Sequence, residues 1–383
     1  MSSYNPLVCA ELSYDRLNVW RGDVHFSHEQ ERAYSSHSID NTEHAQNIDA
    51  LPDAVRAMKA YWAATHTAAP IHIDYMSVSL QDVLSLQTHA ATEIRHSIVA
   101  AYEIDEVCRN GRQIGLPEGY NLYHVEPLWY HVDQYVRVRD PIGMHGKRLE
   151  GHFHLVAAHK RPLEHITSVF KKAGITIGQY VLQPMILPYA AWGKKDYQGQ
   201  KIMISLQGER CHIAVLEKNV CRFVASHIMG ESLMDRDLST CLGVSMDEAE
   251  KIRRSIPGML EHKGFRRGNG LDIPLIVQIL QARSLEMVQE IYQMVSEHVK
   301  WDMPIRIEVQ SQAIAYYWNA SLQHVFPQAE IYFWEHEDDG NSMSWSCEAL
   351  MHYVASIHSK KNHTVTGWRH WWKMCQNWVE YHL

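Results

Sequence analysis

Apolar and polar positions change period repeatedly along the chain, and the changes predict alternating strands and helices. Residues 6–20 alternate as a strand and hairpin, while Ile48, Leu51, Val55, Met58 and Trp62 form one helical stripe within 47–65. Strands are predicted at 71–79, 121–137 and 147–157, with a helix at about 103–114. Together these read as a small strand, helix, strand, strand unit inserted at about 71–160. The stretch 161–175 is a helix closed by Gly174, with Lys171 and Lys172 in the last turn where positive charge suits the helix dipole. A strand at 177–182 leads to a hairpin over 201–218 whose turn is Gln207-Gly208-Glu209-Arg210. Ser245 followed by Glu248 has capping-box spacing and starts a helix over 245–256. The longest helical pattern runs from 272 to 299; a strand (305–309), a helix (313–326) and a strand (329–335) follow. No repeat of fixed short period is present.

Composition narrows the function classes. The chain has 383 residues, 46% of them hydrophobic and 21% charged, the profile of a soluble globular protein of two or more domains. A net charge of -8 argues against a general nucleic-acid binder, which needs a basic surface to neutralise phosphates. Cys9, Cys108, Cys211, Cys221, Cys241, Cys347 and Cys375 form no CxxC pair, so free thiols in a reducing cytoplasm are expected. No signal peptide is expected at the N-terminus, and no apolar run approaches the roughly 18 residues of a membrane span. His152 and His154 share a strand face at i, i+2 and read as ordinary strand histidines, with a metal pair as the alternative.

The segment 139–184 carries Asp140, Pro141, Gly143, Met144, Gly146, Arg148, Leu149 and Glu150 in one register, then a strand, a helix ending in Gly174 and a strand ending near Pro184. In this it resembles FtsA, the bacterial actin-like cell-division family. The resemblance is strong over 101–184 and weak before residue 45. It implies an α/β, actin-like (RNase H-like) two-lobed fold with an inserted strand-helix-strand-strand subdomain of the SHS2 type. The implied division is lobe 1 (1–70, 161–196 and 340–358), the insert (71–160), the lobe 2 core (197–230 and 301–339), a helical subdomain (231–300), a linker (359–366) and an amphipathic helix (367–383).

The resemblance also implies a nucleotide cleft. The first phosphate hairpin of the family falls on residues 11–16, where Glu11 and Arg16 remain but Ser13 replaces the glycine. The second falls on 205–212, where Gly208 alone of three glycines remains, both acids are gone and Glu209 adds a negative charge. A like charge close to a phosphate costs on the order of 1–4 kcal/mol at intermediate dielectric, and the lost glycines bar close backbone approach. The adenosine turn falls on Val309-Gln310-Ser311, without a glycine; Gly230, Glu250 and Arg253 persist. The expected cleft is therefore vestigial, lined by Glu11, Ser13, Arg16, Gly208, Arg210, Gly230, Glu250 and Arg253. No catalytic residue and no metal site are expected. Weak ATP binding with Mg through Arg16, Arg210 and Arg253 stays open.

Two surfaces complete the reading. In a helix over 366–383, Trp368, Trp371, Trp372, Trp378 and Val379 share one face, suited to lying in a membrane interface; a helix docked on its own domain is the alternative. The family binds the acidic C-terminal peptide of FtsZ on its helical subdomain, where this chain has Arg253, Arg254, Lys263, Arg266 and Arg267. The resemblance thus implies a self-associating scaffold that tethers FtsZ to the inner face of the cell membrane at the division site. An active ATPase with drifted loops, and an actin-like scaffold of a pilus or secretion platform, are the alternatives.

Overall fold

The computed structural model describes residues 7–12, 17–22, 51–65, 71–133, 137–190, 197–261, 272–310, 314–334, 346, 348–354 and 356. The chain opens with β1 (Leu7–Leu12), β2 (Leu17–Gly22), α1 (Leu51–Thr65) and β3 (His72–Val78). β4 (Leu84–Glu93), α2 (Ala101–Arg112), β5 (Tyr120–Val132) and β6 (Arg148–His159) follow. α3 (Lys160–Lys172), β7 (Thr176–Leu182) and the short α4 (Gln183–Ile186) lead to β8 (Gln200–Gln207), β9 (Arg210–Glu217) and β10 (Val220–His227). The rest is α5 (Ser232–Leu242), α6 (Met246–Glu261), α7 (Ile273–Val295), β11 (Ile305–Gln310), α8 (Ala315–Val325) and β12 (Glu330–Trp334).

Three sheets result. The first has the order β2-β1-β3-β7, an antiparallel hairpin continued by parallel strands. The second, β10-β9-β8-β11-β12, repeats that plan with an antiparallel meander followed by parallel β11 and β12. The third, β4-β6-β5, is wholly antiparallel. Parallel neighbours need crossover connections, and the helices supply them.

Local chemistry sets the helix ends. Asp272 caps α7 by accepting from the Leu275 N–H at 3.2 Å, with a proline in the first turn. Ser245 accepts from the Glu248 N–H at 3.3 Å, one half of the expected capping box. Gly174 follows α3 with φ +77°, the left-handed conformation that a glycine adopts without steric cost.

The insert departs from its expected boundary. The strand expected at 71–79 is β3, which pairs with β1 and β7 and therefore belongs to the first sheet. The opening strand of the insert is instead β4, whose residues are mostly half-buried on both faces and so show no clean alternation. Strand β10 and helix α5 were likewise unmarked by the pattern; β10 is an edge strand with a register shift between Cys221 and Phe223.

Among the described residues, three apolar clusters form the core. Phe153, Leu149 and Leu155 of β6 pack with Val107 and Cys108 of α2 in the insert. Ile202, Ile204 and Ile213 pack with α5 to α8 in lobe 2. The lobe 1 core is not closed off: Met203, Ala214, Leu216, Cys221 and Val224 of the second sheet join Met76, Val78, Leu182 and Ile186 in one apolar cluster. Cys9, Cys108, Cys211, Cys221 and Cys241 are free thiols, the first four buried. Among the described residues no helix is long and apolar enough to cross a membrane.

Candidate functional site

The described residues among those expected to line the cleft fall in three places: the β8–β9 turn with Gly230, Glu11 on β1, and Glu250 and Arg253 on α6. Gly208 and Glu209 make the turn between β8 and β9, closed by the Gln207–Arg210 pair, with Gly208 at φ +50°. This turn sits directly on the start of α5. The Gly208 carbonyl accepts from the Ser232 N–H at 2.9 Å. A Cβ on Gly230 would lie 2.1 Å from the Gly208 oxygen and 2.4 Å from the Arg210 nitrogen, so only glycine permits the approach. Gly208, Arg210 and Gly230 are thus brought together, by contact between their own backbones.

In the first sheet, the buried Glu11 carboxylate of β1 accepts from Gln183 Nε2 at 3.1 Å and from Ser346 Oγ. Gln183 is fully buried at the end of β7 and start of α4. It was missed in the sequence, where its signal is a polar residue between a strand and Pro184. His212 of β9 stands where the related hairpin has its second carboxylate. Its Nε2 shares a 2.9 Å hydrogen bond with Ser79 Oγ, and the Ser79 N–H donates to the Leu12 carbonyl at 3.0 Å. Burial, helped by the charge of Arg210, pushes the His212 pKa down to about 3, so the imidazole is neutral at pH 7. On β11, Gln310 accepts from Ser205 Oγ at 2.9 Å, and Glu308 pairs with Lys201 at 3.7 Å, both nearly buried.

The helical side differs from expectation at one residue. Arg253 of α6 is about 2% exposed, its guanidinium bound in two-pronged fashion by Asp235 of α5 at 2.7 and 3.1 Å, with Glu231 at 3.3 Å. Burial opposes its charge, but the Asp235 hydrogen bonds and the nearby carboxylates outweigh that and raise its pKa. A side chain so enclosed presents no charge to a peptide, which corrects its place in the expected partner surface. Arg254 is exposed and pairs with Glu250 at 2.7 Å on the same helix face. Ser13, Arg16, Lys263, Arg266, Arg267, Trp368, Trp371, Trp372, Trp378 and Val379 lie outside the described residues.

The two strand histidines divide. His154 is buried and bonds Ser85 Oγ at 2.8 Å, and burial holds its pKa down to about 4. His152 meets Glu150 at 3.1 Å on the open sheet face. Among the described residues no group of three or more His, Cys, Asp or Glu is placed to hold a metal ion.

Comparison with known proteins gives these features a context. The family model of the SHS2 domain inserted in FTSA matches residues 81–157, the range of β4 to β6. The cell division protein FtsA of Neisseria meningitidis serogroup B is 24% identical over 213 residues, covering 54% of this chain and 50% of that protein. FtsA of Pseudomonas aeruginosa is 21% identical over 183 residues, covering 48% and 44%. The chain spans about half the length of the curated relatives it matches. Among solved structures, a chain of the PilM-PilN type IV pilus biogenesis complex superposes with a TM-score of 0.57 at 11% identity, covering 91% of this chain and 98% of that one. MreB 5 of Spiroplasma citri bound to AMPPNP does so with a TM-score of 0.50 at 9% identity, covering 94% and 99%. The two sheets of like topology and the inserted third sheet thus define an actin-like protein with an SHS2 insert, a fold shared with actin-like ATPases. Within that class the chain is FtsA-like, the insert and the curated relatives agreeing on that family.

Proposed function

We propose that this chain is a cell-division scaffold that tethers FtsZ filaments to the inner face of the cytoplasmic membrane and self-associates, without hydrolysing a nucleotide. The observation that carries the nucleotide part is the seated turn. Its carbonyl is already bonded to α5, its backbone is in contact with Gly230, and Glu209 stands beside it. A phosphate cradle needs free backbone N–H groups and a carboxylate near the metal. Here the latter position holds the neutral His212, and one oxygen of the Glu11 carboxylate accepts from both Gln183 and Ser346. These residues do not fit a triphosphate and its Mg²⁺, so Glu11, Gly208, Arg210, Gly230 and Glu250 serve as structural remnants of the cleft.

Membrane attachment is assigned to residues 367–383 through Trp368, Trp371, Trp372, Trp378 and Val379, by their amphipathic spacing. The acidic FtsZ peptide is assigned to Arg254 with Lys263, Arg266 and Arg267, without Arg253. The subdomain division proposed is the one read from the sequence, with the start of the insert moved to after β3. The pilus alternative has only the shared fold in its favour. The test is titration calorimetry of the purified chain with Mg-ATP alongside an FtsZ tail peptide. The expected result is peptide binding with no saturable ATP heat; saturable ATP binding with turnover would instead establish the ATPase alternative.

A further inference from the structure

The open face of the insert sheet ends in a patch that plays no part in the cleft. Cross-strand pairing sets His89 of β4 beside His152 of β6, and His152 beside Trp129 of β5. The rings form a row, His89 to His152 at 5.7 Å and His152 to Trp129 at 4.9 Å, both stacked, with His131 edge-on to His152 at 5.5 Å. Two guanidiniums then cover the Trp129 ring: Arg137, from the segment after β5, at 4.4 Å, and Arg222, from β10 of lobe 2, at 4.8 Å. Beside them Arg139 donates to the Lys218 carbonyl in the β9–β10 turn at 3.2 Å.

Two arginines from two domains therefore stack on one tryptophan with Arg139 close by, in a chain whose net charge is -8. Burial lowers the Arg222 pKa; Glu217 at 2.8 Å counters this, and Arg137 and Arg139 lower it further. Glu217 also pairs with Lys300, and Glu150 is divided between His152 and Arg148. Among the described residues no carboxylate pairs with Arg137 or Arg139, both exposed. Like charges held this close repel, and an incoming anion relieves that repulsion.

We infer that this strip, from Arg139 and Lys218 across Arg137 and Arg222 to the His152–His89 row, docks an acidic peptide segment of a partner protein. The groups follow one another, Arg139 on the Lys218 carbonyl, Arg137 and Arg222 on the Trp129 ring, then His152 and His89, which makes an elongated strip and not the converging cluster that a single phosphate would require. An extended peptide sets alternate carboxylates about 6.6 Å apart, so successive acidic residues can reach along such a strip. Stacking on Trp129 fixes two guanidiniums in advance, which lowers the ordering cost of binding. The site is distinct from the α6 surface assigned to FtsZ and does not rest on that assignment.

The test is fluorescence anisotropy of the full chain with a labelled Glu/Asp-rich dodecapeptide at low salt. R137S/R139S is expected to weaken binding about tenfold or more, and R137E/R139E to abolish it. K171S/K172S, which removes two exposed cations from α3, should change it less than about twofold. Inorganic phosphate should displace the peptide no better than chloride of equal ionic strength. Equal losses in both serine double variants, displacement by phosphate alone, or capture of anionic vesicles through these arginines with no peptide bound would each overturn the proposal.

Discussion

At position 230 a single methyl group would have to displace backbone. The Gly208 carbonyl and the Arg210 nitrogen stand within 2.4 Å of where it would lie, the first held by the Ser232 N–H and the second by the β8–β9 pairing. Gly230→Ala should therefore cost about 1–3 kcal/mol, the usual range for overpacking, read as a lowered melting temperature; an unchanged melt would mean that the turn moves freely on α5. Arg253 makes a second demand. Asp235→Asn leaves its buried guanidinium without a full counter-charge, and the expected loss is about 3–5 kcal/mol in denaturant unfolding. Both glycines and the arginine stood out in the sequence as survivors of a motif. Their roles did not, because Asp235 lies on a helix that no apolar stripe announced, and Gly230 matters through a backbone contact that composition cannot register.

Pairs of strands and helices carry the next level of evidence. His212 joins β9 to the end of β3, and His154 joins β6 to β4. Both are neutral when folded, with pKa values pushed down to about 3 and about 4. The unfolded chain takes up protons near pH 6.5 that the folded chain refuses. Their contribution is thus complete above that pH and is lost as pH falls, by up to about 1.4 kcal/mol per unit for each histidine. Melting temperature should drop steadily from pH 7 to pH 5, and His212→Asn should flatten the slope; a level wild-type profile would contradict this. The Asp272→Ala change should cost α7 about 1 kcal/mol through its lost cap. The long, strongly periodic elements were readable, α7 and α3 among them. β4 was not, since α2 covers one of its faces while β10 lies against it through Ser85 and Val224, which erases the alternation.

On the scale of the molecule, apolar residues of both sheets share one core, and polar pairs line the junction. Ser79 reaches His212, the Leu80 carbonyl accepts from Ser226 Oγ at 2.5 Å, and Ser85 accepts from the Val224 N–H at 3.2 Å. Direct contacts of this kind tie the second sheet to the end of β3, to Leu80 and to β4 of the insert. The insert and the family it marks were legible because one run of matching residues, Asp140 to Glu150, keeps a fixed register. The closure of the lobes was not, because it depends on partners more than a hundred residues apart. The central claim, a nucleotide-independent tether, is tested most directly by liposome co-sedimentation of FtsZ with the full chain or a chain ending at Lys361, with and without Mg-ATP. The account predicts that the full chain brings FtsZ to lipid equally well in both conditions and that the shortened chain does not. Recruitment that needs Mg-ATP, or that survives the truncation, would contradict it.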